Sequence, residues 1–269
     1  MDLGVLACPR CSGRLEPSGR TLRCAGCREE YPVREGIPDL LPWSDGSPGQ
    51  EWDRWREKLD RLQAWRRGTW DGSSTAGTRQ KLADDLAQEF FRFARVPEGA
   101  RVLEIGCGSG DLRRFLPGRH YFGLDPMPLP GHGRGAAPEP VFLRGVGERL
   151  PIAEASFDAV LLCETIDHAL DPARVLAESR RVLRAGGLLA MMQSVTVEAP
   201  PVPLTTRLRV AAGRVKASAL GRRSPSDAET KMHVFTAEAL EALAGTMLLV
   251  DVALTRGQTL FLRAIKQDR

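Results

Sequence analysis

The stretch Val102-Leu103-Glu104-Ile105-Gly106-Cys107-Gly108-Ser109-Gly110-Asp111 decides the fold of this chain. It begins as an apolar run typical of a buried strand and continues into three glycines with the spacing G-x-G-x-G. Glycine permits a tight turn and a close approach of the backbone to a ligand, and a helix that starts after such a turn presents free N–H groups to that ligand. The stretch therefore predicts a strand, a ligand-binding glycine loop and the start of a short helix near residues 111–116.

Two other kinds of glycine loop are excluded by the residues around this one. A dinucleotide-binding loop would need its third glycine at the position of Asp111, and a P-loop would need a Gly-Lys-Ser or Gly-Lys-Thr ending. The next predicted strand, residues 120–124, runs into Asp125, which lies 21 residues beyond Glu104. A carboxylate at that point can bind both hydroxyls of a ribose.

The chain downstream of the glycine loop alternates apolar β-like runs with helical patterns, which indicates βαβ units and a parallel sheet. Strands are predicted at residues 101–105, 120–124, 141–144, 157–163 and 188–195. Helices are predicted at residues 172–184 and 236–245. Gly186-Gly187 marks the end of the first helix, and Thr236 is the N-cap of the second. Two final apolar runs, residues 248–255 and 259–266, predict a closing hairpin.

Several motifs in the expected order resemble class I S-adenosylmethionine-dependent methyltransferases. The matching residues are Glu104, Gly106, Gly108 and Gly110 of the cofactor loop, Asp125 as the ribose-binding acid, and the segments 145–151, 156–160 and 181–187. The resemblance covers residues 96–195 and extends more weakly to 269. It implies an α/β, Rossmann-like methyltransferase fold of seven strands in the order 3-2-1-4-5-7-6, whose antiparallel strand seven suits the closing hairpin.

The resemblance also implies S-adenosylmethionine as the cofactor and a set of residues that hold it. These residues are Glu104, Gly106, Cys107, Gly108, Gly110, Asp125, Pro126, Val146, Gly147, Glu148, Cys163 and Glu164. The adenine end departs from the family at two places. Val146 stands where the family often has an adenine-binding aspartate, so Glu148 or backbone amides would take that role. A loop rich in proline and glycine, residues 126–140, replaces the expected helix.

Four of the six cysteines form two CxxC pairs near the start of the chain. The pairs are Cys8 with Cys11 and Cys24 with Cys27, and 12 residues separate them. Two such pairs in a short segment can place four thiolates tetrahedrally around Zn²⁺, whereas redox chemistry accounts for a single pair only. The metal would be structural, since a ribbon of about 40 residues cannot build a sufficient core alone. The segment resembles the zinc ribbons that precede some methyltransferase domains, including bacterial rRNA guanine methyltransferases in which the ribbon helps to hold RNA.

Composition divides the chain into three parts. These are a zinc ribbon at residues 1–42, a tryptophan-rich helical cap at 43–95, and a methyltransferase domain at 96–269 with a basic insertion at 196–233. The cap holds all five tryptophans of the chain. Apolar spacings of three and four residues predict helices at about 51–67 and 78–95. The tryptophans either pack in the core or roof a ligand pocket.

Candidate catalytic residues follow the predicted fourth and fifth strands, where the methyl acceptor is expected. For an O–H or N–H acceptor, the protein must align the nucleophile and remove a proton. His168 and His233 are the candidate bases, and His168 matches a histidine that is often structural in the family. Further candidates for substrate contact are Trp70, Asp167, Gln193, Arg222 and Arg223.

The positive charge of the chain is concentrated in the insertion. The net charge is +4 overall, whereas residues 201–233 carry seven basic and two acidic residues and residues 1–42 carry six of each. A ribbon that grips RNA should be basic, because phosphate contacts dominate nucleic-acid affinity. We therefore expect a small-molecule acceptor, with an rRNA or tRNA base as the alternative. The basic insertion either meets a carboxylate or phosphate of the substrate or is a solvated helix face.

Composition excludes several other classes of protein. With 42% hydrophobic and 27% charged residues, the chain is globular. No apolar run approaches the ~18–20 residues that cross a membrane, and no signal-peptide pattern is present. We therefore expect a cytoplasmic protein without a membrane partner. The pattern does not determine an oligomeric state, although the closing hairpin leaves one sheet edge for pairing.

Overall fold

The computed structural model describes residues 3–42, 50–69, 74–127, 140–196 and 231–268. Trp70, Arg222 and Arg223 lie outside these ranges, as do most of the 126–140 loop and of the 196–233 insertion. The first range forms a small antiparallel sheet whose strands follow each other in chain order. Its strands are β1 (Leu15–Ser18), β2 (Thr21–Cys24), β3 (Glu30–Arg34) and β4 (Ile37–Pro38).

Two helices follow this ribbon, α1 (Gln50–Thr69) and α2 (Ser74–Ala94). Both helices are longer than predicted on the sides that face each other in sequence. Gly68 and Gly77 were expected to lie in the loop between them but lie inside the helices, where each glycine costs about 1 kcal/mol relative to alanine. No helix within the described ranges is both long enough and apolar enough to span a membrane.

A seven-stranded sheet forms the centre of the remaining chain. Its strands are β5 (Arg101–Ile105), β6 (His120–Asp125), β7 (Val141–Arg144), β8 (Phe157–Cys163), β9 (Leu183–Ser194), β10 (Leu249–Arg256) and β11 (Thr259–Ile265). Their order across the sheet is β7-β6-β5-β8-β9-β11-β10, and β11 runs antiparallel to both of its neighbours. Counted from β5, this is the order 3-2-1-4-5-7-6, so the predicted fold class is confirmed.

The helix predicted at residues 172–184 ends early, and the strand after it begins early. The observed helix, α3, spans Pro172–Val182. β9 starts directly at Leu183, because this buried leucine pairs with Phe157 of β8. The prediction that Gly186-Gly187 ends the helix is therefore wrong. These glycines lie in the irregular first part of β9, where Gly186 has a φ of +71°.

Helices cover both faces of the large sheet. α3 and α4 (Ala237–Gly245) pack on one face through Val175, Leu176 and Leu240. Thr236 caps α4 as predicted, because its side chain accepts a hydrogen bond from the Ala239 N–H. α2 packs on the opposite face through Phe90. Since parallel strands end at the same edge of a sheet, the segments that follow β5, β6 and β8 meet there and form one site.

The ribbon docks on the β7 edge of the large sheet. Asp39, directly after β4, pairs in parallel with Arg144, and Leu40 donates its N–H to the Arg144 carbonyl over 2.8 Å. The Asp39 carboxylate also lies 2.6 Å from the Arg144 guanidinium. A second contact joins Leu6 to Ile152 as an antiparallel bridge. The ribbon therefore covers an edge whose unpaired backbone groups would otherwise be exposed.

Candidate functional site

A cleft lies at the carboxyl ends of β5, β6 and β8, and its empty space measures about 820 Å³ including the part open to solvent. The predicted site residues that line it are Gly106, Gly108, Asp125, Pro126, Val146, Gly147, Glu148, Cys163, Glu164 and His168. Eight lining residues were not predicted as site residues, namely Trp55, Leu59, Ile105, Leu124, Met127, Thr165, Ala169 and Val175. The predicted residues Glu104, Cys107, Gly110, Asp167, Gln193 and His233 are described by the structure but lie outside the lining.

The glycine loop has a backbone that other residues rarely adopt. Gly106, Gly108 and Gly110 have φ values of +74°, +52° and +71°. A Cβ on Gly106 would lie 2.4 Å from the side chain of Thr165, which is closer than any real contact. The loop therefore needs glycine for its conformation and for its close approach to the segment after β8. It continues into a short 3₁₀ helix at Asp111–Phe115, close to the predicted position.

The Asp125 carboxylate lies beside the glycine loop at the end of β6. It accepts the Gly108 N–H over 2.9 Å on one oxygen and the Met127 N–H over 2.8 Å on the other. These bonds orient the carboxylate in the cleft. Because a carboxylate has about four acceptor positions, it can still bind ligand hydroxyls.

Glu104 lies beneath the glycine loop and is only 2% exposed. Its Oε2 accepts a 2.5 Å hydrogen bond from the Tyr121 hydroxyl, which is buried as well. Burial raises the pKa of Glu104 to about 8, while the bond from Tyr121 opposes that rise. The carboxyl group therefore supports the floor of the cleft in this structure.

The raised pKa of Glu104 predicts a pH-dependent stability. Folded Glu104 holds a proton up to about pH 8, whereas the unfolded side chain releases it near pH 4.5. Stability is therefore expected to fall as pH rises through this window, by at most about 1.4 kcal/mol per pH unit. Glu104→Gln is expected to remove that part of the decline, since glutamine keeps the acceptor for Tyr121. Urea unfolding of both proteins at several pH values measures the difference, and parallel curves would contradict the prediction.

The loop after β7 forms the predicted adenine side of the cleft. Val146 and Gly147 line it, and Val146 is buried against Trp52 and Trp55. The Glu148 carboxylate accepts the Leu170 N–H over 2.7 Å, and burial raises its pKa. Glu148 thus joins this loop to the segment after β8 while it also lines the cleft.

Helix α1 forms a roof over the cleft. Trp55 and Leu59 line the cleft, and the Trp55 indole N–H donates to the His168 carbonyl. Lys58 donates to the Lys231 carbonyl over 2.7 Å, which joins α1 to the chain that returns from the insertion. Trp52 and Trp55 pack in a buried cluster with Val146, and Trp55 also lines the cleft, so both roles open for the tryptophans are present here.

Charged and polar side chains follow β8 at the far end of the cleft. The Glu164 carboxylate accepts hydrogen bonds from Ser194 Oγ over 2.9 Å and from Gln193 Nε2 over 3.3 Å. Asp167 is 2% exposed, and its Oδ2 lies 2.9 Å from the Lys231 ammonium. His168 lines the cleft, and its Nε2 lies 3.8 Å from Asp167 Oδ1.

The other candidate base, His233, has a different environment. Its ring stacks on Phe235, with centroids 5.7 Å apart, and its Nε2 lies 3.3 Å from the Leu170 carbonyl oxygen. Its backbone N–H donates to the Asp167 carbonyl over 3.0 Å. His233 therefore anchors the returning chain beside the cleft in this structure.

The four ribbon cysteines form one cluster. All four sulfurs lie within 4.8 Å of one another, and the two shortest pairs, Cys8 with Cys27 and Cys11 with Cys24, are 3.6 and 3.5 Å apart. Both short pairs join one CxxC to the other. Zn–S bonds of ~2.3 Å in a tetrahedron place sulfurs roughly 3.8 Å apart, so this cluster fits Zn²⁺. Such a site is closed and would stabilise the ribbon.

Tyr31 supports this cluster from within the ribbon. Its buried hydroxyl lies 3.2 Å from Cys8 Sγ, where it can donate to a thiolate. Tyr31→Phe is expected to weaken Zn²⁺ binding at least 10-fold, as is typical when a metal ligand loses its supporting hydrogen bond. Competition with a chromogenic chelator measures the affinity. Thr21→Val is the matched control, because the Thr21 hydroxyl bonds the Ser18 carbonyl instead, and an equal loss in both variants would contradict this role.

Comparisons with known proteins match two parts of this chain. Residues 103–191 match the methyltransferase domain family, and residues 3–36 match the Trm112p-like protein family. Residues 103–191 therefore contain the part of the chain that matches a methyltransferase domain. An uncharacterized methyltransferase of Mycobacterium bovis is 40% identical over 122 residues, which are 44% of this chain and 50% of that protein.

A second relative of the methyltransferase domain has a named pathway. The ubiquinone biosynthesis O-methyltransferase of Hahella chejuensis is 33% identical over 125 residues, which are 44% of this chain and 52% of that protein. This chain thus spans about half the length of the curated relatives that it matches.

Solved structures share the fold of the methyltransferase domain. A chain of a Haloferax volcanii complex that contains the Trm112 methyltransferase activator matches with a TM-score of 0.53 at 20% identity, over 72% of this chain and 96% of that chain. The [4+2]-cyclase SpnF matches with a TM-score of 0.54 at 19% identity, over 71% of this chain and 84% of that chain. At these identities the similarity establishes the fold alone, and it agrees with the strand order described above.

Proposed function

We propose that this protein is an S-adenosylmethionine-dependent methyltransferase that acts on a small molecule and uses Zn²⁺ to stabilise its ribbon. The observation that carries the proposal is the roofed cleft, in which the glycine loop, Asp125 and Trp55 surround one space. The space that these groups line measures about 820 Å³, including the part that is open to solvent.

The chemistry of the cleft suits S-adenosylmethionine. The cofactor carries a sulfonium, an ammonium and one carboxylate, so its net charge is positive. The cleft is lined by the carboxyl groups of Asp125, Glu148 and Glu164. In the proposed complex Asp125 binds the ribose, the glycine loop approaches the methionine part, and Val146 with Gly147 contacts the adenine. Bound S-adenosylmethionine supplies an electrophilic methyl group, and the protein aligns the acceptor with it.

The ribbon surface favours a small acceptor over RNA. Three of its six arginines face acidic partners, with nitrogen–oxygen distances of 2.9 Å for Arg10 and Glu29 and 3.9 Å for both Arg14 with Glu16 and Arg23 with Glu30. Pairing reduces the positive potential that phosphate binding requires.

The basic insertion begins and ends beside the acceptor end of the cleft. Thr196 donates its N–H to the Phe235 carbonyl over 2.8 Å, and Met232 donates to the Asp167 carbonyl over 2.8 Å. Because residues 201–233 carry seven basic and two acidic residues, the acceptor is expected to bear a carboxylate or phosphate at a distance from its reacting atom.

A labelling experiment tests this proposal. The purified protein is incubated with methyl-labelled S-adenosylmethionine and either a deproteinised small-molecule extract or total RNA. We expect label in the small-molecule fraction and none in RNA, with Gly106→Ala as the inactive control. Label in rRNA or tRNA would establish the alternative. If S-adenosylhomocysteine does not bind in calorimetry, the proposed function itself is wrong.

A further inference from the structure

Glu164 occupies a distinctive place in the cleft. It is the first residue after β8 and lines the space next to the glycine loop, since Gly106 lies against the side chain of the adjacent Thr165. The methionine part of a cofactor held by that loop would therefore lie next to Glu164. The acceptor must approach from the same side, beyond the ends of β8 and β9.

The backbone at Glu164 is strained. Its φ of +50° lies in the left-handed region, which costs a residue other than glycine about 1 kcal/mol or more. Its N–H donates to the Met192 carbonyl over 2.8 Å, which holds the strained residue against β9. Strain of this kind is retained where the surrounding structure imposes it, and it is concentrated at functional sites.

Two donors from the end of β9 orient the carboxylate of Glu164. Ser194 Oγ bonds one oxygen over 2.9 Å and Gln193 Nε2 the other over 3.3 Å. Gln193 is completely buried, so its amide cannot turn to solvent. Because a carboxylate has about four acceptor positions, those not used by Ser194 and Gln193 remain available to a ligand.

The charges around Glu164 adjust its basicity. Burial raises its pKa above the ordinary value, the hydrogen bonds from Ser194 lower it, Asp167 raises it and Lys231 lowers it. The net direction is upward, which makes the carboxylate a stronger base than an exposed glutamate. The other titratable groups lining the cleft are Asp125 and Glu148 on the cofactor side, the Cys163 thiol directly before Glu164, and His168 beneath the roof.

We propose that Glu164 is the general base of this enzyme and that the acceptor group is a neutral hydroxyl or an amine. In this step the acceptor oxygen or nitrogen bonds to the methyl carbon, the carbon–sulfur bond breaks with its electron pair left on sulfur, and the acceptor proton passes to Glu164. A carboxylate acceptor is excluded at this position, because its charge would oppose that of Glu164. The inference rests on the proposed methyltransferase function.

Calorimetry tests the position of Glu164 without a known acceptor. The probes are S-adenosylhomocysteine and sinefungin, in which a primary amine replaces the sulfonium methyl. We expect the wild-type protein to bind sinefungin at least 10-fold more tightly, with a preference that grows as pH rises through the pKa of Glu164. Glu164→Gln should reduce the preference to less than 2-fold. Glu148→Gln is the matched control, since its loss should weaken both ligands alike and leave their ratio unchanged.

Kinetics test the proton transfer itself. With the labelled small-molecule fraction, Glu164→Gln should lower the single-turnover rate by about 10²–10⁴-fold while S-adenosylhomocysteine affinity changes less than 3-fold. Ser194→Ala should move the rising limb of the pH–rate profile to higher pH, because a hydrogen bond that lowers the Glu164 pKa is lost.

Three results would overturn the assignment. They are an unchanged sinefungin preference in Glu164→Gln, a wild-type rate in that variant, or loss of the pH-dependent limb in His168→Gln instead. Should Glu164→Gln fail to fold, the Ser194→Ala profile and the wild-type pH dependence of the sinefungin preference still decide the question. Failure of the wild-type protein to bind either probe would instead reject the proposed function.

Discussion

Replacement of Gly106 by alanine is expected to abolish cofactor binding. The new Cβ would lie 2.4 Å from both Cγ2 and Oγ1 of Thr165, and the residue would have to keep a φ of +74°. The loop must therefore shift away from the segment after β8, which moves the N–H groups that face the ligand. We expect at least a 100-fold loss of S-adenosylhomocysteine affinity, measured by calorimetry.

Gly99→Ala is the matched control for this substitution. Gly99 also has a positive φ, +68°, but a Cβ there would meet no atom within 4 Å. Both variants therefore share the backbone strain of about 1 kcal/mol, and only Gly106→Ala adds the overlap with Thr165. Equal affinity in the two variants would show that the close contact between the glycine loop and Thr165 is not needed for binding.

Loss of the cysteine cluster is expected to unfold the ribbon and destabilise the methyltransferase domain. Structural zinc sites contribute ~10–16 kcal/mol, comparable with the whole stability of a domain. The ribbon residues Leu6 and Leu40 are buried in the same core as the large sheet. Cys24→Ser should therefore lower the thermal midpoint of the whole protein by at least 5 °C, measured by calorimetric scanning with the zinc content of each sample.

The same substitution should also weaken cofactor binding. The ribbon contacts both ends of the loop that follows β7. Leu40 donates its N–H to the Arg144 carbonyl at one end, and Ala7 donates its N–H to the Pro151 carbonyl at the other. Arg144 in turn donates to the Pro126 carbonyl over 2.9 Å, and Pro126 lines the cleft. Arg23→Ala is the control, since Arg23 pairs with Glu16 and Glu30 inside the ribbon sheet and its exposed side chain faces Glu30. A folded, zinc-free Cys24→Ser protein with unchanged cofactor affinity would contradict this coupling.

The part of the site that could be predicted from sequence consists of local motifs. The glycine loop, Asp125 and the four cysteines are groups whose chemistry depends on spacing along a few residues, so their positions could be read from the sequence. Trp55 was not singled out for the roof, because its hydrogen-bond partner, the His168 carbonyl, lies 113 residues away. The sequence of α1 showed only an amphipathic spacing. That spacing identifies the apolar face of the helix but does not identify the segment on which this face packs.

The boundary between α3 and β9 shows the same limit. Gly186-Gly187 is a good local signal for the end of a helix. The pairing of Leu183 with Phe157 outweighs this signal. Burial of a leucine side chain in the sheet stabilises the fold by about 2 kcal/mol, which is more than the preference for one helix end over another. A contact distant in sequence thus moved an element boundary.

The amino-acid sequence by itself determined the α/β class, the glycine loop and the paired CxxC cysteines of this protein, which follow from hydrophobic periodicity and from chemistry within short segments. The strand order came from the resemblance to class I methyltransferases. Tertiary structure alone decided that Glu104 lies on Tyr121 beneath the loop, that α1 roofs the cleft, and that Ser194 and Gln193 orient Glu164. The physical reason is that burial, hydrogen-bond partners and pKa depend on which distant segments pack together, and a residue's type does not specify its neighbours in space.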